Sequence, residues 1–259
     1  MPNLWSLIRM ENLKIFERSR TWVFFGALIT CSFIIAWIMN WFGFLNAGRD
    51  DAWEFVWSSV QTLFLAKLLA SVIAGDIVSS EFAWGTAKLL LIRPASRTKI
   101  LFAKYMAVLI FVALCMILTL FSSFLFGAMF FGIRFDVQYV TPKWQDIGAV
   151  YGLFFVEIIM TATFAFMLSA ISRSSSFSIG LSVFFILAGP AVVELCRMVG
   201  FDGGKYLLSA NMNLRQYMEG NNPLFEGMSP GFSITVLLIY FFVFHLLSWI
   251  SFTRRDIDV

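Results

Sequence analysis

Six stretches of about 20 mostly apolar residues divide this chain, and each is long enough to cross the hydrocarbon core of a bilayer as an α-helix. They run approximately from Trp22 to Phe44, Phe55 to Ala74, Tyr105 to Phe131, Ile147 to Ile171, Phe177 to Val199 and Phe232 to Phe252. The first, third and sixth contain no Asp, Glu, Lys or Arg, whereas the second and fourth carry one charge each, Lys67 and Glu157. In the fifth, Gly189-Pro190 predicts a kink or an end to the helix, which would leave Glu194 and Arg197 on a polar turn at the outer interface. The fold class that follows is an all-α integral membrane protein. Composition agrees: 59% of the 259 residues are hydrophobic and 14% charged, and the mean hydropathy is +0.81, well beyond a soluble domain.

Basic residues orient the spans, because Lys and Arg concentrate in cytoplasmic loops. With the N-terminus inside, twelve basic residues fall in cytoplasmic segments and five outside, with Lys67 and Arg197 left within spans. Both termini are therefore expected in the cytoplasm of a multi-pass plasma-membrane protein. The three cysteines, Cys31, Cys115 and Cys196, lie in apolar stretches without metal-ligand or disulfide spacing. The charged segment 1–20 does not look like a removable signal peptide, so the first span is expected to persist. Within it, Leu4, Trp5, Ile8, Ile15 and Phe16 share one side of a helix and Arg9, Glu11, Lys14, Glu17 and Arg18 point elsewhere. That pattern fits a helix lying in the headgroup region. The turn-rich segment 200–231 is expected to hold short helical or re-entrant pieces outside.

The loop from Gly75 to Lys104 carries the densest local punctuation. Span two can continue as a helix through Trp84, with Gly85 as a C-terminal stop. Thr86 can then cap a short helix over Ala87 to Ile92, Pro94 ends it, and Ser96 caps the helix that climbs into span three. A short helix with Leu89, Leu90, Leu91 and Ile92 in a row exposes more apolar surface than a solvated loop sustains. Its partner could be the bilayer surface, the chain's own helices or a groove on a soluble protein.

The spacing Asp76, Glu81, Gly85-Thr86, Leu89-Leu90, Pro94, Ser96-Arg97, Lys104 resembles the signature of ABC-2 type permeases, the transmembrane subunits of bacterial ABC exporters. The match is dense over some 30 residues, and the six-span layout extends it along the chain. One departure is Phe82-Ala83, where many relatives carry a further charge. The resemblance implies one transmembrane domain over 1–259, with an interfacial helix at 1–20, a cytoplasmic coupling loop at 75–104 and an extracellular loop at 200–231. It implies a coupling helix between spans two and three that docks into a separate ATPase subunit, through Asp76, Glu81, Gly85, Thr86, Lys88, Leu89, Leu90, Arg93, Pro94 and Arg97. The partners so implied are that ATPase and a second permease copy or paralogue, with ATP and Mg held by the ATPase and no cofactor bound by this chain. The family so resembled moves drugs, antimicrobial peptides, lipids, polysaccharides and ions, and the lack of large soluble domains together with the aromatic surface favours a hydrophobic or amphipathic cargo such as an antimicrobial peptide, drug or lipid.

The residues themselves bear on catalysis. No phosphate-binding G-x-x-x-x-G-K-[ST] loop occurs, and no H-E-x-x-H metal motif surrounds the single histidine, His245. His245 reads as a hydrogen-bonded packing residue and the chain as a non-enzyme. The other reading left open is a six-span scaffold or intramembrane enzyme without an ATPase partner. Lys67 and Glu157 would each cost about 2.5 to 3.5 kcal/mol near the bilayer centre, so neither should face lipid. They line a pathway, with Glu157 and Thr161 one turn apart on one face, or they pair with each other, or Lys67 snorkels to the interface.

Overall fold

The structure, a computed structural model, describes residues 3–45, 51–83, 96–133, 137–172, 174–218 and 223–254. These are helical, with short turns and no strand among them. A first helix, α1 (Leu4–Phe16), precedes α2 (Ser19–Trp41), which is span one. Span two, Ala52–Phe82, is built from α3 (Ala52–Ser58), a 3₁₀ turn at Ser59–Thr62, α4 (Leu63–Asp76) and α5 (Ser79–Ala83). Spans three to six are α6 (Arg97–Phe131), α7 (Val137–Ile171), α8 (Ser175–Met198) and, after a short α9 (Leu208–Met212), α10 (Pro230–Arg254). All six are long and apolar enough to cross a membrane.

Spans two and four form the centre. Their apolar windows are 78% and 67% buried inside the protein, against 17%, 22% and 28% for spans one, five and six. The principal core joins Leu63, Ile73 and Val78 of span two to Phe111 and Val112 of span three and Phe154 and Ile158 of span four. The outer spans turn large apolar side chains outward, among them Trp37, Phe184 and Phe242. Such a surface suits lipid rather than water. Close helix approach relies on small residues, as membrane packing generally does. At Gly127 of α6 a Cβ would stand 3.0 Å from Phe55 and 3.1 Å from the Ala52 backbone, so glycine alone lets α3 lie this close.

Two expectations need correcting. The fifth span does not break at Pro190: α8 continues to Met198, and Glu194 and Arg197 pair within it at 2.6 Å. Pro190 lies on the exposed side of the helix, and membrane helices tolerate proline where other groups satisfy the carbonyl it leaves free. Gly189 instead serves contact, since a Cβ there would come within 3.1 Å of Ser209. Span two does not run on as one helix either. A turn at Ile77 and Val78 separates α4 from α5, and Ser169 Oγ of span four accepts from both the Val78 and Ser79 N–H groups there.

The segment after span five holds two 3₁₀ turns, Asp202–Tyr206 and Leu214–Tyr217, flanking α9. Asn211, fully buried, donates to the carbonyls of Lys205 and Leu207 and accepts from Ser233 of span six. Gln216 closes a second loop, donating to the Ala210 carbonyl and accepting from the Leu224 N–H. The short helical pieces expected there are present, folded back onto spans five and six.

Candidate functional site

One end of the bundle gathers α1, the α4–α5 turn, the start of α6, the ends of α7 and α10, and the start of α8. Arg97 Nη1 donates to the Thr253 carbonyl at 3.0 Å, Ser251 Oγ to the Ala170 carbonyl, and Ser79 Oγ meets Ser175 Oγ at 3.0 Å. Ala83 and Ser96, the described residues that flank 84–95, both belong to this end.

Charge is concentrated here. Lys104 of α6 has a side chain only 1% exposed, and its ammonium donates to Glu11 Oε2 at 2.7 Å, Glu81 Oε1 at 2.7 Å and the Ile77 carbonyl at 3.3 Å. Three acceptors use its three hydrogens. Lys14 of α1 bridges the same two carboxylates, at 2.7 Å to Glu11 and 2.8 Å to Glu81. Burial alone would raise the Glu11 carboxyl, but the charges of Lys104 and Lys14 outweigh it and hold Glu11 below its ordinary range. Burial likewise disfavours the Lys14 ammonium, and Glu81 and Glu11 outweigh that and hold it above the ordinary lysine value. Beside this quartet, Asp76 at the end of α4 takes ion pairs from Arg18 and Arg20 at the start of α2. The two clusters lock α1, α2, span two and span three into one joint.

The joint changes the reading of α1. Its buried side is Leu7, Ile8, Glu11 and Ile15, set against Ala103, Met106 and Ile110 of α6 in part, while Leu4 and Trp5 are exposed. Leu4 and Trp5 of the expected apolar side face away from the protein and Ile8 and Ile15 face into it, and Glu11, expected on the polar side, is buried as well, because pairing with Lys104 neutralises its carboxylate.

The sequence-derived residues therefore divide. Asp76, Glu81 and Arg97 stand at this end, while Gly85, Thr86, Lys88, Leu89, Leu90, Arg93 and Pro94 lie outside the described residues. The sequence places Glu11 and Lys14 only on the polar side of the first helix and gives Ser169 no role. The one available hint was that Glu11 and Lys14 sit one turn apart and that Lys104 closes the loop pattern.

A second constellation sits at mid-span. Lys67 Nζ and Glu157 Oε1 are 2.6 Å apart, with side chains 9% and 12% exposed, and Lys67 stands 5.1 Å over the Phe64 ring. Lys67 therefore pairs with Glu157 and does not snorkel to the interface. Thr161 turns back on its own helix, donating to the Glu157 and Ile158 carbonyls, and does not reach the pair. His245 packs by its ring, stacked on Phe241 at 4.3 Å and edge-on to Tyr105 at 4.5 Å, and its Nδ1 finds no hydrogen-bond partner among the described residues. Hydrogen bonding was expected there, and aromatic contact replaces it. Among the described residues no His, Cys, Asp and Glu side chains group so as to hold a metal.

Six apolar helices around an ion-paired interior define a multi-span membrane protein. The chain matches the family model described as "Protein of unknown function (DUF2705)" over residues 23–257, and it belongs to that family. It is similar to the uncharacterized protein YhcI of Bacillus subtilis strain 168, with 39% identity over 97% of this chain and 99% of that protein. It is also similar to the uncharacterized membrane protein YdbK of the same organism, with 31% identity over 95% of this chain and all of that protein.

Proposed function

We propose that this chain is the membrane-spanning subunit of an ATP-driven exporter of the ABC-2 type, working in the plasma membrane with both termini in the cytoplasm. It forms the translocation path with a second copy or a paralogue, and a separate ATPase binds segment 84–95 from the cytoplasm. The observation that carries this reading is the ion-paired joint of Glu11, Lys14, Glu81 and Lys104 at the root of that segment. A coupling element can transmit force only if its base is rigid. Here three elements distant in sequence are held together by buried charge, where a loop that merely joined two spans needs no such anchoring. Interfacial placement of α1, with Trp5 exposed toward headgroups, belongs to the same picture.

In this arrangement Leu89 and Leu90 fill an apolar groove on the ATPase and Arg93 and Arg97 sit near its rim. Changing both leucines to Ala removes about 2 to 5 kcal/mol from a well-packed interface, by analogy with core truncations, and releases the ATPase. Arg97→Ala weakens binding less, because rim charges act mainly on association rate. The test is co-purification of an ATP-binding subunit with the parent chain and with each variant. A Leu89→Ala/Leu90→Ala chain that inserts normally and keeps the ATPase and transport activity removes the coupling role from this loop.

A further inference from the structure

Span two, Ala52–Phe82, holds no proline, and its glycine, Gly75, lies inside α4, yet the helix breaks at Ile77 and Val78. A side chain inserted into the backbone ladder can break a helix, and here that side chain is Ser169 of span four. Its Oγ accepts from the Val78 and Ser79 N–H groups at 3.1 and 3.0 Å. The carbonyls have substitutes as well. Gly75 accepts from Ser79 Oγ at 2.8 Å and Ile77 from Lys104 Nζ at 3.3 Å, while the Glu81 N–H turns to the Val78 carbonyl at 3.3 Å. In a continuous helix the same groups would pair four residues apart: Val78 with Ala74, Ser79 with Gly75, and Glu81 with Ile77. Both forms satisfy these backbone groups, so passing between them exchanges hydrogen bonds and leaves no N–H bare. The bodies on either side of the break are each held. On the α4 side, a Cβ on Gly75 would stand 3.2 Å from Ile179 of span five, and Asp76 pairs with Arg18 and Arg20. On the α5 side, Glu81 belongs to the quartet with Glu11, Lys14 and Lys104.

We propose that the Ile77–Val78 break is a hinge with a bent and a straight setting, and that the Ser169 hydroxyl is the latch that holds it bent. On release, Val78 and Ser79 return their N–H groups to Ala74 and Gly75. Ser169 then turns to a carbonyl of its own helix, as Ser248 does toward Phe244. α5 continues the axis of α4, and Phe82 leaves its edge-on contact with Phe252 of span six, 6.5 Å between ring centres in the bent form. Ser169 is a positioning residue and touches no cargo. Under the transport reading, on which its use rests, the hinge makes the direction of segment 84–95 depend on the contact between spans two and four.

The test is the distance between spin labels on Ala83→Cys and Ile171→Cys, in the full-length chain with Cys31, Cys115 and Cys196 replaced, by pulsed electron resonance in lipid nanodiscs. Ser169→Ala takes the shared acceptor from two buried N–H groups in the bent form and nothing from the straight one. The straight-form distance should therefore gain at least about tenfold over the bent-form distance. Adding Val78→Pro should reverse this, because in a continuous helix the proline ring meets the Ala74 carbonyl and forbids the straight form. Return of the parent distance in Ser169→Ala/Val78→Pro separates a released hinge from a damaged fold. Ser182→Ala, which removes a buried hydroxyl that donates to Ile179 of its own helix, should keep the parent distance. An unchanged distance in Ser169→Ala, or a changed one that Val78→Pro fails to restore, overturns the hinge. The same change in Ser182→Ala overturns the latch. None of these measurements needs an ATPase, so failure here leaves the co-purification test standing and failure there leaves this one standing.

Discussion

Replacing Lys104 by Met tests whether the joint at the end of the bundle is held by buried charge. Methionine has nearly the length of lysine and keeps the packing against α1, so the substitution removes the ammonium and little else. Glu11, with its side chain 4% exposed, and Glu81, at 12%, would then face each other with only Lys14 between them. Removing one member of a buried pair costs about 3 to 5 kcal/mol, because the charge left behind keeps its desolvation penalty. At about 2 to 4 °C per kcal/mol for a chain of this size, the thermal midpoint should fall by roughly 6 to 20 °C. Lys14→Met is the control: that lysine bonds the same two carboxylates but is 39% exposed, so its loss should cost about 1 kcal/mol or less. Unfolding in detergent is followed by loss of the monodisperse peak after heating. If the two variants melt within about 2 °C of each other, a difference below 1 kcal/mol on the same scale, burial is not what gives Lys104 its weight and the joint is not rigid in the sense argued here.

Four further outcomes are expected. With Cys31, Cys115 and Cys196 replaced, single cysteines at Ser96 and Asn221 should label from opposite sides of the membrane, and same-side labelling would rule out six spans. Glu11 has a lowered folded value, so its stabilisation is present above the ordinary carboxyl range and lost as pH falls through that lowered value; Lys14 is raised, so its share is present below the ordinary lysine range and lost as pH rises through the raised value. Melting scans should therefore show a plateau through neutral pH with a decline at each extreme, and Glu11→Gln should flatten the acid limb specifically. Gly127→Ala should cost about 1 to 3 kcal/mol, because its Cβ meets the Ala52 backbone, while Gly26→Ala, in open space, should be neutral or gain up to about 1 kcal/mol. In a double-mutant cycle on Lys67 and Glu157, either single neutralisation should destabilise more than the double one, and additive losses would contradict the pairing.

The six spans were legible because a run of about 20 apolar residues admits few alternatives to a membrane helix. Ser96 was legible for a local reason, and its Oγ does accept from the Lys99 N–H at the start of α6. Two of the failures, at Glu11 and at the α4–α5 turn, depended on a partner far away in sequence, and the third, at Pro190, did not. Pro190 signals a break when a helix is considered alone, but α8 presents it outward and continues. Glu11 signals a polar face on a helical wheel, yet a lysine 93 positions later takes it inside. The α4–α5 turn at Ile77 and Val78 had no local signature, since the group that receives its free N–H donors is Ser169 in another span. The Lys67–Glu157 pair lay between these cases. The cost of an isolated charge required some partner for each, and only the packing of span two on span four could say which.

The distribution of charge through the bundle follows one physical logic with two outcomes. At the end of the bundle that carries Ala83 and Ser96, every acceptor around Lys104 is supplied by the chain itself, and one ammonium ties α1, span two and span three together. At mid-span Lys67 meets Glu157 at 2.6 Å with side chains 9% and 12% exposed, so each charge has its counter-charge and neither has to face lipid. The first arrangement fixes three elements against one another, whereas the second joins only spans two and four, which are already the most buried helices of the bundle.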